Sequence, residues 1–414
     1  MPKANSGLLK QIGRQIHPTR TYAYISLLIL AYYVVYYLYI GITHPVPALG
    51  DSWDYHIPIS QSILNGNFLT LEHAKAPQWY YPGASEAINS LFLLLHIPLT
   101  LSNLFAILVL FVVCFKLGLK FKLEYYMAVL FAAMICGLNV LVRWYNAVSI
   151  DVWVAVFFFL SIMLLEKPQK THTYFAKLGF TFGMLIGSKY TACLYALLLM
   201  VVYWGKIFPN INFARLVTFF IPFSLFGLFW YIRNFALTSN PFYPLPLFGL
   251  PGKNLFQGYN IANITMSHPA QMLNAVFSEY NVWSIIVLFT AGFYFYKKFT
   301  GKKVPIYGIN RLYIIGILCF FLFLTFPTST QPWIMVSSMR YSFPLAITLI
   351  LCTYLIASHY KKEEFVGITA IASMLMTLPM HYSPKLSLLY LPLGLFLIYC
   401  FEKYRKFTLN KHSL

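Results

Sequence analysis

The sequence predicts an all-α, polytopic transmembrane protein, and three observations lead there. Of 414 residues, 59% are hydrophobic and only 10% are charged, with a mean hydropathy of +0.67. Apolar runs near twenty residues long recur along the chain, the length that crosses about 30 Å of hydrocarbon. Lys and Arg collect in alternate turns between those runs. A net charge of +19 would suggest nucleic acid in a soluble protein, but no soluble basic domain is present to bind it. The basic residues set orientation instead, and the implied partner is the lipid bilayer.

With Gly, Pro and charge as punctuation, about twelve spans follow, at 22–42, 99–118, 125–142, 149–165, 174–188, 190–204, 215–235, 281–297, 311–327, 341–358, 365–380 and 385–401. The basic amino terminus leads into the first run without a small-residue cleavage site, which reads as an uncleaved span. If residues 1–21 are cytoplasmic, 23 of the 30 Lys and Arg fall on the cytoplasmic side. Both termini are then cytoplasmic in a multi-pass cell-membrane protein. All six cysteines lie inside apolar runs and look like packing residues.

The non-cytoplasmic side carries two long segments. The first, 43–98, is too polar to span but holds amphipathic pieces at about 52–65 and 84–96 that suit the interface. The second, 236–280, is rich in Pro, Gly and Asn, and contains a single glycosylation sequon, Asn263-Ile-Thr265, that decides nothing. Long loops in a compact membrane protein are more often functional than idle.

The chain has three aspartates, and two of them stand in Asp51-Ser-Trp-Asp54-Tyr55-His56-Ile-Pro58. Carboxylates beside hydrocarbon are costly and mark sites of chemistry. Asp51 also fits a helix N-cap with Asp54 at the third position, and Asp151 fits a helix first turn, where negative charge suits the macrodipole. On the predicted topology all three share one depth with the basic residues Arg143, Lys189, Arg233 and Arg340. Arg233 and Arg340 oppose the positive-inside bias, so they are candidates for phosphate contact as well as for snorkelling. Tyr55 and His56 are candidate contacts or interface anchors, and the role of Glu86 is open.

Taken in order, these residues resemble a known family. Asp51-x-x-x-Tyr55-His56-x-Pro58, Tyr81-Pro82-Gly83 with Glu86, Asp151 heading a span, Lys189, Trp230-x-x-Arg233-Asn234 and Asn240-Pro241-x-Tyr243-Pro244 resemble the GT-C superfamily of integral-membrane glycosyltransferases. That superfamily includes protein O-mannosyltransferases and lipid A aminoarabinose transferases. The resemblance covers residues 20–245, with Arg340-Tyr341 a looser match. It implies a polyprenyl-phosphate sugar donor used on the non-cytoplasmic face, with Asp51 in the base position. Ser52 stands where some members carry Glu, which leaves the divalent-metal requirement open.

The expected organisation is a catalytic module over 1–245 and a variable membrane module over 246–414. The expected site comprises Asp51, Asp54 and Asp151 as catalytic carboxylates, with Tyr55, His56, Glu86, Lys189, Arg233, Asn234, Arg340 and Tyr341 binding substrate. The reaction would be an inverting single displacement onto a hydroxyl of a lipid, glycan or protein acceptor. The alternative is a flippase for a lipid-linked saccharide, which calls for ionisable residues near mid-membrane and paired broken helices. The sequence shows neither.

Overall fold

The computed structural model describes residues 18–45, 50–71, 74, 76–247, 249–253, 260–328 and 331–382. The expected span at 385–401, the basic residues before position 18 and the basic tail lie outside the described residues. Among the described residues the chain is helices and turns, with one isolated bridge pair, Asn260 and Pro327.

In chain order the principal helices are α1 (Pro18–Thr43), α2 (Ile57–Leu64), α3 (Ala84–Leu94), α4 (Ser102–Lys120), α5 (Tyr125–Cys136), α6 (Asp151–Glu166), α7 (His172–Ser188) and α8 (Tyr190–Ile207). They continue as α9 (Phe213–Phe223), α10 (Phe229–Thr238), α11 (Pro269–Tyr280), α12 (Val282–Phe299), α13 (Ile309–Thr325), α14 (Phe343–His359) and α15 (Glu363–Tyr382). Each of the first eleven expected spans has a helix over it. By length and apolar composition, five helical stretches among the described residues suffice to cross a membrane, or six if the bent pair α11 and α12 is one span. The figure of about twelve therefore exceeds what these helices show individually.

The expected span at 125–142 is the plainest departure. It breaks at Gly137, leaving the 12-residue α5 and a single turn, Asn139–Val142. Twelve residues rise about 18 Å, short of the hydrocarbon thickness. A Cβ on Gly137 would sit 2.5 Å from the Met374 side chain, so the break marks a close approach of α15. Residues 236–280 are also more regular than expected. Asn260 accepts a hydrogen bond from the Asn263 N–H and starts a short helix, Ile261–Ser267, and Pro269 then opens α11. At Asn281 (φ 40°) the chain turns by 98° into α12.

Three glycines set one packing seam. Gly179, Gly183 and Gly187 recur every four residues on α7, and α9 with the π-helical turn Ser224–Leu228 lies across them. A Cβ at Gly179 would come 2.0 Å from the Phe219 carbonyl oxygen, and one at Gly187 would come 2.1 Å from that of Phe226. Small residues at this spacing let helix backbones touch, which gains dispersion contact where hydrophobic driving force is absent. The π turn follows Pro222, which has no N–H to continue the α ladder. This seam fixes α10, and with it Trp230 and Arg233, against α7.

The first loop forms a hairpin of α2 and α3, and α3 is polar inside and apolar outside. Ser60, Ser85, Glu86, Asn89 and Ser90 are buried, while Leu91, Leu94 and Leu95 are exposed. Ser90 Oγ donates to the Ser60 and Glu86 carbonyls, and Ser85 and Ser188 share a hydrogen bond to α7. The loop is therefore seated by polar contacts, and its leucines are left for an apolar medium.

Candidate functional site

Four charged side chains from four separate segments meet at one end of the bundle. Asp51 stands at the start of the π-helical turn Ser52–His56 that leads into α2. Asp151 is the first residue of α6, where its charge also suits the helix N-terminus. Lys189 is the single extended residue between α7 and α8 (φ −161°, ψ 143°), so α7 ends and α8 begins at this residue. Arg340 sits in the one-turn 3₁₀ segment Met339–Ser342 that precedes α14.

Arg340 Nη2 donates to Asp51 Oδ2 at 2.6 Å, and Lys189 Nζ donates to Asp151 Oδ1 at 2.6 Å. Arg340 Nε lies 3.2 Å from Asp151 Oδ2, close enough for charge contact but with its N–H unaligned for a hydrogen bond. The result is a chain Asp51–Arg340–Asp151–Lys189 with two negative and two positive groups. Aromatic faces hold both cations: Arg340 lies 4.7 Å from the Trp144 ring centroid and 5.3 Å from that of Tyr341, which also carries Lys189 at 4.2 Å. Asp151 and Arg340 are nearly sealed from solvent, whereas the Asp51 side chain is 39% exposed. A cleft of about 10 Å³, room for about one water, lies beside Lys189 and Arg340.

Burial works to raise the Asp51 carboxyl, but the charge and hydrogen bond of Arg340 outweigh it and hold the group below the ordinary aspartate range. Asp51 is therefore ionised at neutral pH, and its Oδ1 carries no hydrogen bond among the described residues. The N-cap geometry that the sequence allowed for Asp51 is not formed. Its backbone is helical, it makes no capping bond, and its carboxylate is engaged by Arg340 instead. Ser52 anchors the turn, donating through Oγ to the Val148 carbonyl and accepting from the Val148 N–H.

The remaining expected residues separate into groups. Asp54 is exposed and has no ion pair among the described residues, while its carbonyl accepts from Trp79 Nε1. His56 and Glu86 are buried and paired, Nδ1 to Oε1, at 2.9 Å. The Tyr55 ring lies 4.1 Å from that of His56 and edge-on to Tyr81.

Arg233 is buried and turned to the first loop, donating to the carbonyls of Tyr80 (2.9 Å), Tyr81 (3.4 Å) and Phe68 (3.5 Å) and to Asn234 Oδ1. Asn234 Nδ2 donates to the Tyr80 carbonyl and to Tyr190 Oη, and Tyr190 in turn donates to the Tyr243 carbonyl. A Cβ on Gly83 would lie 3.0 Å from the Trp230 ring, so the glycine lets the loop close on α10. The Trp230-x-x-Arg233-Asn234 and Asn240-Pro-x-Tyr243-Pro pieces thus tie the loop down, and the Arg233 donors already have acceptors.

Arg143 is placed apart from this end-group. It pairs with buried Glu279 at 2.6 Å, which joins the turn after α5 to α11. At the far end of α6, about 22 Å away along its axis, Glu166 gathers Tyr203, Lys206, Tyr307 and Arg311. Sequence reasoning also missed Trp144, Tyr80 and Tyr190. Nothing in spacing singles out Trp144 as the face beneath a cation 196 residues away. Among the described residues no three His, Cys, Asp or Glu converge as a ligand set for a metal ion, since Arg340 stands between the two carboxylates.

No protein-family model matches the chain. No curated protein matches it either. Among solved structures it is similar to ArnT from Cupriavidus metallidurans in the apo state, with a TM-score of 0.52 and 14% identity over 91% of this chain and 76% of that one. At that identity the likeness is one of architecture alone, an ArnT-like helical fold over nine-tenths of this chain.

Proposed function

We propose that the protein is a glycosyltransferase that moves a sugar from a polyprenyl-phosphate donor to an acceptor hydroxyl on the non-cytoplasmic face. One observation carries this reading: Asp51, Asp151, Lys189 and Arg340, scattered over 289 residues of sequence, form one ionic chain at one end of the bundle. The ArnT-like fold supports it, because ArnT is a lipid A aminoarabinose transferase of the GT-C type. The excess of Lys and Arg in the other set of turns supports placing this end outside the cytoplasm. A transporter is less well supported, since these ionisable groups stand at helix starts and breaks rather than at mid-span.

In this reading Asp51, exposed along one edge, accepts the proton of the acceptor hydroxyl. The acceptor oxygen attacks the anomeric carbon, the bond from that carbon to the phosphate oxygen breaks, and its electron pair leaves with the lipid phosphate. Lys189 and Arg340 meet the phosphate charge by turning part of their contact from the carboxylates to the donor. Asp151 keeps both cations in place, with the Tyr341 ring against both and the Trp144 ring against Arg340. Arg233 and Asn234 act from behind, through the Tyr80 carbonyl and the first loop. Residues 1–245 supply the catalytic module, and Arg340 reaches it from the C-terminal one.

The test is direct. Protein in lipid nanodiscs is offered a panel of polyprenyl-phosphate hexoses and pentoses, and release of polyprenyl phosphate is measured. Mass spectrometry of surface lipids, glycans and proteins, with and without the gene, then identifies the acceptor. Consumption of a donor by the wild-type protein and not by Asp51→Asn supports the reading. No consumption of any donor together with unchanged surface glycoconjugates overturns it.

A further inference from the structure

Arg340 spans two carboxylates from a turn of four residues, Met339–Ser342, and a single 3₁₀ turn is poorly held by its own hydrogen bonds. What fixes the guanidinium lies outside the ionic chain. Three consecutive residues where α11 ends and the chain bends each hold a different segment.

The fully buried Glu279 carboxylate accepts from Arg143 Nη2 at 2.6 Å and from Asn139 Nδ2 at 3.2 Å, and the Ser278 carbonyl accepts from the same amide at 2.9 Å. These bonds pin the turn that leads into Trp144, whose ring lies against Arg340. Tyr280 Oη shares a hydrogen bond with Ser342 Oγ and lies 3.4 Å from the Met339 carbonyl oxygen, so it grips the Arg340 turn on both sides of the arginine. Asn281 accepts from Ser373 Oγ at 2.8 Å and donates to the Ser373 carbonyl at 3.4 Å, which ties the bend to α15.

We propose that Glu279 and Tyr280 are positioning residues for Arg340: Glu279 sets the Trp144 ring against the guanidinium, and Tyr280 sets the turn that carries it. The consequence for turnover rests on the glycosyltransferase reading above, whereas the placement of Arg340 does not. A buried ion pair such as Arg143–Glu279 adds little net stability over apolar packing, but it holds its partners in one arrangement. That is the property a shared cation needs, since a misplacement of about 1 Å can cost about 10²-fold in rate.

The test reads Asp51 and turnover separately. Burial raises the Asp51 carboxyl, and Arg340 lowers it more than His56 or Lys189 does, so its titration reports where the guanidinium stands. Carbodiimide labelling of Asp51 is followed across pH by mass spectrometry in protein held in lipid nanodiscs. In Tyr280→Phe, which keeps the ring and loses the hydroxyl, labelling should begin at higher pH than in the wild type. Glu279→Gln should act in the same direction through Trp144. In an Arg340→Leu background Tyr280→Phe should add no further shift, because a residue that acts through another has nothing left to act on. Glu166→Gln, which strips charge from the buried cluster at the far end of α6, should lower the thermal midpoint and leave the Asp51 onset at its wild-type value. With a polyprenyl-phosphate sugar that the wild type consumes, Tyr280→Phe should lower kcat/KM about fivefold, the effect of one hydrogen bond. A wild-type onset in both Tyr280→Phe and Glu279→Gln, or a Tyr280→Phe shift that persists undiminished beside Arg340→Leu, overturns the positioning role. Shifted onsets in a protein that consumes no donor support the positioning and overturn the glycosyltransferase reading instead.

Discussion

Arg340 Nη2 donates to Asp51 Oδ2 at 2.6 Å, joining the turn before α14 to the first loop across 289 residues of chain. The same guanidinium faces Asp151 through Nε, so one planar group spans two carboxylates. A lysine has a single charged point and can serve one carboxylate at a time. Arg340→Lys is therefore expected to lower donor turnover by at least about tenfold while the protein remains folded. Arg340→Leu, which leaves Asp151 with Lys189 alone, should also lower the thermal midpoint, since removing one partner of a buried pair costs about 3–5 kcal/mol. Turnover and unfolding of both variants check this.

The pH response of Asp51 follows from the same contact. Its folded pKa lies below its ordinary value of about 3.9, so the pair contributes stability above that value and loses it as pH falls through the lowered one. Arg340→Leu removes the cation and leaves burial, which raises the carboxyl. Carbodiimide labelling of Asp51, read by mass spectrometry across pH, should begin at lower pH in the wild type than in the variant. Identical onsets would show that Arg340 does not set the carboxylate.

Asp51→Asn is expected to abolish transfer, a loss of about 10²–10⁴ in rate, with expression and donor binding nearly intact. Asp54 is exposed and unpaired among the described residues, so Asp54→Asn should stay near wild type. The reverse result would move the base to Asp54.

Arg233→Lys keeps the charge but loses the fork that reaches the Phe68, Tyr80 and Tyr81 carbonyls. It should raise proteolysis of the first loop and lower the thermal midpoint. Lys189→Ala should instead reduce donor affinity. If Arg233→Lys weakened the donor with no change in loop protection, Arg233 would contact phosphate directly.

Gly179→Val should destabilise the bundle, because any Cβ there meets the Phe219 carbonyl oxygen at 2.0 Å. Gly205→Ala, with open space at its Cβ, should be neutral. Unfolding in detergent compares the two.

The sequence determined the local matters. Apolar run lengths, Pro and Gly placed the helices over the first eleven expected spans, and the scarcity of aspartate marked Asp51, Asp54 and Asp151 alike, because both signals are written in the chain itself. Partnership is not. In the sequence Arg143, Arg233 and Arg340 are alike, lone arginines near helix ends. Tertiary structure gave the first to Glu279, the second to loop carbonyls and the third to two aspartates. The physical reason is that a buried charge takes whichever counter-group the packing brings within about 4 Å. That choice is made by helices meeting across hundreds of residues, and no periodicity in the chain records it.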